Sequence, residues 1–437
     1  MNHQNVSRRT FFHTTASATA ATLLAGRAQA QAVAPNDKIR VGLIGSGGMG
    51  VGNLRAFLTN PEVDCPVICD VDEAKIANGV NLVEGVREMT PDTTTDYRRV
   101  LDRNDLDALI VATPDHWHAL PMIHGCQAGL DVYVEKPLGR TIDEGRAMLE
   151  ATRRHNRVVQ MGTQWRSSAH YGDAVKFIQS GKLGPVRMVR AWAYLDWVGG
   201  IGSPADQDPP AGVDYDMWLG PAPLRPFNEN RFHFNFRWFW DYAGGLMTDW
   251  GVHLLNVCLW AQGLETPTRV SSFGGKHVIQ DNTETPDTQV AVYQFPSYTL
   301  IWEHQMLGGI GPNGKPHGMY FSGEEGAVLI DQDGWEVIPE PKRDTLEAEK
   351  HDPGPDARVA HIRNFLDCMA TREDPVQNLE TSHHVSTVAH LGNLALRAGT
   401  ELHWDAEAER VTNDADADAL VGASYRSPWE LPYSRRT

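Results

Sequence analysis

The chain has 437 residues and a formal net charge of −17, from 56 acidic against 39 basic side chains. A length of this order predicts two or three domains, and the acidic balance argues against nucleic acid or an anionic lipid surface as the main partner. With 41% hydrophobic and 22% charged residues and no apolar run of about 18 residues, the composition excludes a disordered or helically membrane-inserted chain. The five cysteines, Cys65, Cys69, Cys126, Cys258 and Cys368, are scattered and fit neither a disulfide scaffold nor a structural zinc site.

Residues 1–30 read as an address. Arg8 and Arg9 precede Phe11, Phe12 and a mildly apolar stretch, and Ala28-Gln29-Ala30 offers a small-residue cleavage site. The segment resembles a twin-arginine signal, which carries folded proteins across a membrane; an ordinary secretory signal or a chance arginine pair are the alternatives. The expected partner is the twin-arginine export machinery, and the expected location is the periplasm or beyond, with no stable membrane insertion.

Residues 37–164 alternate between strand and helix. The apolar run IRVGLIG, residues 39–45, reads as a buried parallel strand and leads into GSGGMG, with helix-compatible residues at 48–59. Gly45 permits a tight turn, Gly47 lets the backbone approach a pyrophosphate, and Gly50 lets the following helix sit against the strand. Free N–H groups at that helix start hold phosphates, which assigns Gly48 and Met49 to the same cradle. CPVICD ends at Asp70, where a carboxylate accepts hydrogen bonds from ribose hydroxyls and repels a 2′-phosphate, favouring NAD over NADP; an ordinary turn residue is the competing reading. Further strands are expected at 106–113, 131–138 and 157–164, with helices at 96–103, 116–128 and 141–155. The pattern predicts an α/β chain with a doubly wound parallel sheet whose ligands lie beyond the strand ends.

From about residue 165 to 400 the texture changes. Residues 186–197, 289–295, 298–304 and 327–330 have β character, and 198–230 is rich in Gly and Pro. The expectation is an α+β domain with a largely antiparallel sheet, followed by a tail over 401–437 whose DADADA run, residues 414–419, is a solvated surface.

Two features carry chemistry. Lys136 follows Glu135 at the end of a predicted strand, where an ammonium can stabilise an alkoxide or polarise a carbonyl; alone, a solvated lysine is the plainer reading. Asp249 and His253, spaced i and i+4, share a helical face and can converge on one substrate. The imidazole can take a hydroxyl proton and the carboxylate can orient substrate or imidazole, although a helix cap and a core histidine explain the pair equally.

GSGGMG, the acidic strand end at Asp70, ATPDHWHA, EKP and DWGVH, in that order, resemble the glucose-fructose oxidoreductase, inositol dehydrogenase and rhizopine-catabolism (Gfo/Idh/MocA) family over roughly residues 37 to 400. GTQWRSS and ARVAHIRNFLDCM extend the resemblance. It implies Lys136, Asp249 and His253 as the catalytic group and a cis peptide before Pro137. It adds Thr113, Pro114, His116, His118, Glu135, Lys136 and Gln164 to the cofactor side, and Arg166, Asp249 and His253 to the substrate side. His118 matches the family histidine; the HWH sequence departs from the plainer family run, so His116 is less clearly placed.

No familiar ligand set completes a metal site around His116 and His118. His383, His384 and His390 sit on a predicted helix as structural residues, and Cys65 and Cys69 as small core residues. The aromatic run FHFNFRWFWDY, residues 232–242, is too dense for an amphipathic strand. It reads either as a sugar-stacking surface, with Arg237, Trp238 and Trp240 on the substrate side, or as an interface in a dimer or tetramer. Because the periplasm has no free nicotinamide pool, NAD is expected to be tightly bound. Three functions follow: an oxidoreductase for a sugar, polyol or glycoside; a redox-neutral glycosidase or lyase working by transient ring oxidation; and a non-enzymatic nucleotide- or sugar-binding protein.

Overall fold

The computed structural model describes residues 38–197 and 199–436. The expected leader, residues 1–30, lies outside them. Strands β1 (Ile39–Ile44), β2 (Val63–Cys69), β3 (Asp92–Thr94), β4 (Ala108–Val111), β5 (Asp131–Val134) and β6 (Val159–Met161) form a parallel sheet in the order β3-β2-β1-β4-β5-β6. Their intervening helices are α1 (Gly48–Phe57), α2 (Glu73–Val86), α3 (Tyr97–Leu101), α4 (Ala119–Gln127) and α5 (Ile142–His155). Central strands are covered on both faces and are therefore continuously apolar: all four residues of β4 and of β5 are buried. Helix α5 starts on a capping box, in which the Thr141 hydroxyl accepts from Glu144 N and the Glu144 carboxylate accepts from Thr141 N. Ile44 is paired with both Cys69 and Val111. The chain leaves β1 and β4 in opposite directions there, which opens a crevice at the carboxyl ends of the strands.

The predicted strands are longer than the observed ones. β5 stops at Val134, two residues before Lys136, and Pro137 has no N–H to continue a ladder. β6 stops at Met161, and Gln164 lies in a 3₁₀ turn.

After α6 (Ala169–Gln179) the second sheet begins with β7 (Met188–Tyr194). The short helix α7 (Tyr215–Leu219) and the helices α8 (Gly245–Asp249) and α9 (Gly251–Gln262) precede β8 (Arg269–Gly275), β9 (Thr288–Gln294), β10 (Thr299–Gln305), β11 (His317–Ser322), β12 (Gly326–Asp331), β13 (Gly334–Pro339) and β14 (Glu349–His351). Helices α10 (Arg358–Thr371) and α11 (Leu379–Ala398), strands β15 (Leu402–Asp405) and β16 (Arg410–Val411), and helix α12 (Ala415–Ala419) complete the chain. The ten strands run in the order β14-β13-β12-β11-β7-β10-β9-β8-β15-β16. All neighbours are antiparallel except β7 and β10. In β9, Gln289, Ala291 and Tyr293 are buried and alternate with outward residues.

The two sheets share more chain than the sequence suggests. Helix α10, late in the sequence, returns to the first sheet, where Phe365 meets Phe57 at 6.1 Å and Tyr133 at 5.9 Å between ring centroids. The last residues are part of the body as well: Trp429 meets Trp117 edge-on at 4.9 Å, and the Tyr425 hydroxyl donates to Glu144. DADADA, expected as a solvated surface, forms α12, with Ala417 buried and the Asp418 carboxylate engaged by Val411 N and Arg436. All five cysteines are free and buried. On α11, His383 bonds Glu409, His384 the Glu265 carbonyl and His390 the Gly139 carbonyl.

Candidate active site

The glycine turn builds one half of the site. Gly45 has φ +89°, and a Cβ there meets the Ala112 carbonyl oxygen at 2.6 Å. At Gly50 a Cβ falls 1.9 Å from the Gly45 oxygen, so only glycine lets α1 approach β1 this closely. Gly47 and Gly48 face open space, and no side chain caps the start of α1. That leaves free N–H groups and room for phosphate oxygens. Asp70 stands at the end of β2. Its carboxylate accepts from Ser46 N at 2.7 Å and Asp72 N at 3.1 Å, while burial raises its pKa despite these bonds. Gly45, Gly47, Gly48, Met49, Asp70, Thr113, Pro114, Glu135 and Lys136 line one cleft of about 470 Å³. An uncapped helix start beside open glycines, with a carboxylate further along the wall, fits a dinucleotide.

The histidines of ATPDHWHA hold the loops together. His118 lies between the loop after β4 and the loop after β5, with Nδ1 2.7 Å from the Pro137 oxygen and Nε2 2.9 Å from the Thr113 oxygen, and its single N–H can donate to one of these two carbonyls. His116 Nε2 contacts the Trp218 oxygen at 2.9 Å. Burial lowers their pKa values to about 4 and about 3, so both rings are neutral and each donates a single N–H. Neither histidine lines the cleft. Among the described residues, no group of three His, Cys, Asp or Glu side chains can hold a metal.

Lys136 and Asp249 meet at the inner end. The Lys136–Pro137 peptide is cis. Lys136 Nζ donates to the Asp249 carboxylate and, at 3.2 Å, to the Asp249 main-chain oxygen. Burial alone would raise the Asp249 pKa; the charges of Lys136 and Arg237 more than offset it and hold it at about 2. Arg237 Nε lies 3.7 Å from the other carboxylate oxygen. His253 is lowered to about 3, first by burial and then by the Lys136 charge, and its Nδ1 is buried without a partner. It sits against the Trp165 ring at 5.1 Å. The single helical face expected for Asp249 and His253 is interrupted: α8 ends at Asp249 and α9 begins at Gly251. His253 N bonds the Trp250 oxygen at 3.0 Å, leaving the Asp249 oxygen to Lys136.

A segment of the second domain crosses the cleft. Asp72 bridges Val213, Glu73 N donates to Gly212 O at 3.0 Å, Asp214 N to Val71 O at 2.9 Å, and His233 Nε2 lies 2.9 Å from the Asp72 carboxylate. Met217, Trp218, His233, Phe234, Phe236 and Arg237 thereby face Gly47 and Asp70 across one space.

Several expected residues stand elsewhere. Trp238 is fully buried against Trp197, with centroids at 6.1 Å, and presents no face for a sugar. Trp240 lines a separate cavity. Arg166 donates to Asn256 at 3.0 Å and lies over Trp260; neither it nor Gln164 lines the cleft. Sequence reasoning also passed over Asp115. This carboxyl lines the cleft, is 7% exposed, and has its pKa raised to about 8 by burial despite the Lys136 charge. Its position directly after Thr-Pro at a strand end was the signal available.

Chemically, the cleft offers a fixed ammonium, a carboxylate that stays ionised and a protonated carboxyl around one opening; the neutral His253 imidazole feels the Lys136 and Asp249 charges but does not line that opening. An ammonium so held stabilises charge on a substrate oxygen, and a neutral imidazole accepts a proton.

Among curated proteins, the chain is 31% identical over 169 residues to the levoglucosan dehydrogenase of Pseudarthrobacter phenanthrenivorans, covering 38% of this chain and 43% of that one. It is 34% identical over 112 residues to a glycosyl hydrolase family 109 protein of Shewanella pealeana, covering 25% of each. The chain thus spans less than half the length of these relatives. The fold is similar to that of the aldose-aldose oxidoreductase from Caulobacter crescentus, with a TM-score of 0.65 and 20% identity over 84% of this chain and 99% of that one. Two family profiles match nearly the whole described chain, the NAD-binding Rossmann fold of the oxidoreductase family over residues 39–163 and its C-terminal alpha/beta domain over residues 173–431. The chain therefore belongs to the Gfo/Idh/MocA oxidoreductase family.

Proposed function

We propose that the protein oxidises a CH–OH group of a sugar, polyol or glycoside with NAD that stays bound through the catalytic cycle and is restored by passing the hydride to the carbonyl of a second carbohydrate. The carrying observation is the Lys136–Asp249 pair on the wall of a cleft fit for a dinucleotide and crossed by the 212–237 segment, with His253 near enough to feel both charges. When bound, NAD supplies the hydride acceptor. Lys136 steadies the substrate oxygen, Asp249 holds Lys136 in place, and His253 takes the hydroxyl proton. Asp70 accepts from the ribose hydroxyls, which favours NAD over NADP. The crossing segment, latched to α2 through Asp72 and Glu73, slows cofactor exchange. The levoglucosan dehydrogenase likeness supports a carbohydrate substrate.

A redox-neutral glycosidase is the second reading, and Asp115 favours it. After transient oxidation, the neighbouring C–H is acidified and the glycosidic bond breaks by elimination; water then adds to the unsaturated intermediate, the hydride returns to the carbonyl carbon, and a protonated carboxyl in the cleft suits the leaving oxygen. The glycosyl hydrolase family 109 likeness supports it. Incubating the purified protein, without added NAD, with single sugars, sugar pairs and aryl glycosides separates the two. Paired oxidation and reduction supports the first and glycoside cleavage the second, whereas turnover only with continuously supplied NAD refutes cofactor retention.

Export through the twin-arginine route and assembly into a dimer or tetramer belong to the same proposal. Arg8→Lys with Arg9→Lys should retain loaded protein in the cytoplasm. Outward Phe273 and Val290, on β8 and β9, offer apolar surface for a second copy, which sedimentation of the purified protein tests.

A further inference from the structure

The cavity lined by Trp240 is separate from the cofactor cleft: none of its lining residues lies on the cleft wall. It measures about 260 Å³, on the scale of one small molecule, and is bounded by the start of α5, by α11, by residues 240–244 and by residues 420–424. Two guanidinium groups face it. Arg140 donates from Nη1 to the Trp240 oxygen at 3.3 Å, and its Nε is buried with no partner. Arg397 lies over the Trp240 ring at 5.1 Å. Among the described residues neither arginine has a carboxylate within ion-pair distance; the Arg397 pKa is lowered by burial and then by the Arg140 charge, against the opposing charges of Asp241 and Glu284.

The acids nearby are committed elsewhere. Asp241 is held by Arg225 at 2.8 Å, and the same guanidinium takes Glu284 at 2.9 Å. Glu284 also accepts from Trp240 N. Glu144 uses its oxygens on Arg140 N, Thr141 N and the Tyr425 hydroxyl rather than on the Arg140 guanidinium. On the far wall, Asn393 is 4% exposed; its Nδ2 donates to the Gly244 oxygen at 2.7 Å, and its Oδ1 has no partner.

Two guanidinium groups lining one cavity without a carboxylate partner can share a single anion, and guanidinium groups match carboxylate and phosphate oxygens. A buried acceptor with no donor calls for a hydroxyl. We propose that this cavity binds a small hydroxylated oxyanion, the carboxylate or phosphate form of a monosaccharide, between Arg140, Arg397 and Asn393. The cavity joins the catalytic cleft through two short pieces of chain, from Lys136 to Arg140 and from Arg237 to Trp240, so its occupant bears on the loops that hold Lys136 and Arg237.

Calorimetric titration of the purified, cofactor-loaded protein with D-glucuronate, D-glucose 6-phosphate and D-glucose tests this. Saturable binding of either anion but not of glucose is expected, weakened about tenfold or more in Arg397→Ala and in Arg140→Gln and kept in Lys136→Met. The tighter of the two anions identifies the carboxylate or phosphate source. Arg397 is solvent-exposed, so its variant is expected to fold normally, and it decides the matter alone if Arg140→Gln is unstable. No binding of either anion, equal binding in Arg397→Ala, or binding lost in Lys136→Met, which would place the anion in the catalytic cleft, overturns the proposal.

Discussion

Replacing Gly47 by alanine separates a structural glycine from one reserved for a ligand. Gly47 has φ −69° and ψ −170°, which any L-residue adopts, and a Cβ there meets nothing within 4 Å. The protein alone should tolerate the change or gain about 0.4–1 kcal/mol from the less flexible unfolded chain. Bound NAD should not. A phosphate oxygen accepting from a main-chain N–H at about 2.9 Å must move to give a methyl carbon its contact distance of about 3.5 Å. Losing one such charged hydrogen bond costs about 1.5–3 kcal/mol, equivalent to about a 10- to 150-fold weaker affinity. Gly50→Ala should behave oppositely: its Cβ falls 1.9 Å from the Gly45 oxygen, and the forced backbone shift should cost about 1–3 kcal/mol of stability or more. Urea denaturation and NADH titration of both variants check the pair. Wild-type affinity in Gly47→Ala, or stability losses in both variants alike, would refute the assignment of this turn to the pyrophosphate.

Lys136→Ala and His253→Ala should each lower turnover by about 10²-fold or more with the fold intact, measured by initial rates and thermal melting. Asp70→Ala should weaken NAD binding by about 1–3 kcal/mol, read by titration. Asp115, raised from 3.8 to about 8, keeps a proton in the folded state that the unfolded chain has lost; between those values each pH unit of rise removes about 1.4 kcal/mol of stability from this group. Denaturation of Asp115→Asn across that range should show a flatter pH dependence than wild type, and an identical slope would discard the buried acid. Because His253 stays neutral above about pH 3, the turnover profile should show no acid limb at the ordinary histidine value. Trp238→Ala should act through stability, losing about 3–5 kcal/mol, rather than through KM alone.

The first sheet was legible because its signals are local. An apolar run meeting a glycine turn, and motifs recurring at strand ends, need only neighbours in sequence, and Gly45, Gly50 and Lys136 lie where that reading puts them in the fold. Strand lengths were overestimated where Pro137 and the turn at Gln164 end the ladder. What escaped depends on distant chain. The return of α10 to Phe57, the crossing of the cleft by residues 212–237 and the burial of Asp115 are set by contacts from far along the sequence. The aromatic run shows the limit most clearly: its composition suggested a sugar platform, yet Trp238 turned into the core, Trp240 into a second cavity, and only Phe234, Phe236 and Arg237 remained with His233 on the cleft.

The interruption between α8 and α9 bears on how substitutions at Asp249 should be read. A continuous helix would consume the Asp249 carbonyl in its own ladder; the shift of His253 N to the Trp250 oxygen releases it, and Lys136 is held by main chain as well as by side chain. Truncating the carboxylate therefore removes a charge without setting the lysine adrift, so the residual activity of Asp249→Ala measures charge and not loss of position. To displace the ammonium itself, the break must be healed, and the residues that decide this are Trp250 and Gly251, neither of which carries a group that reacts.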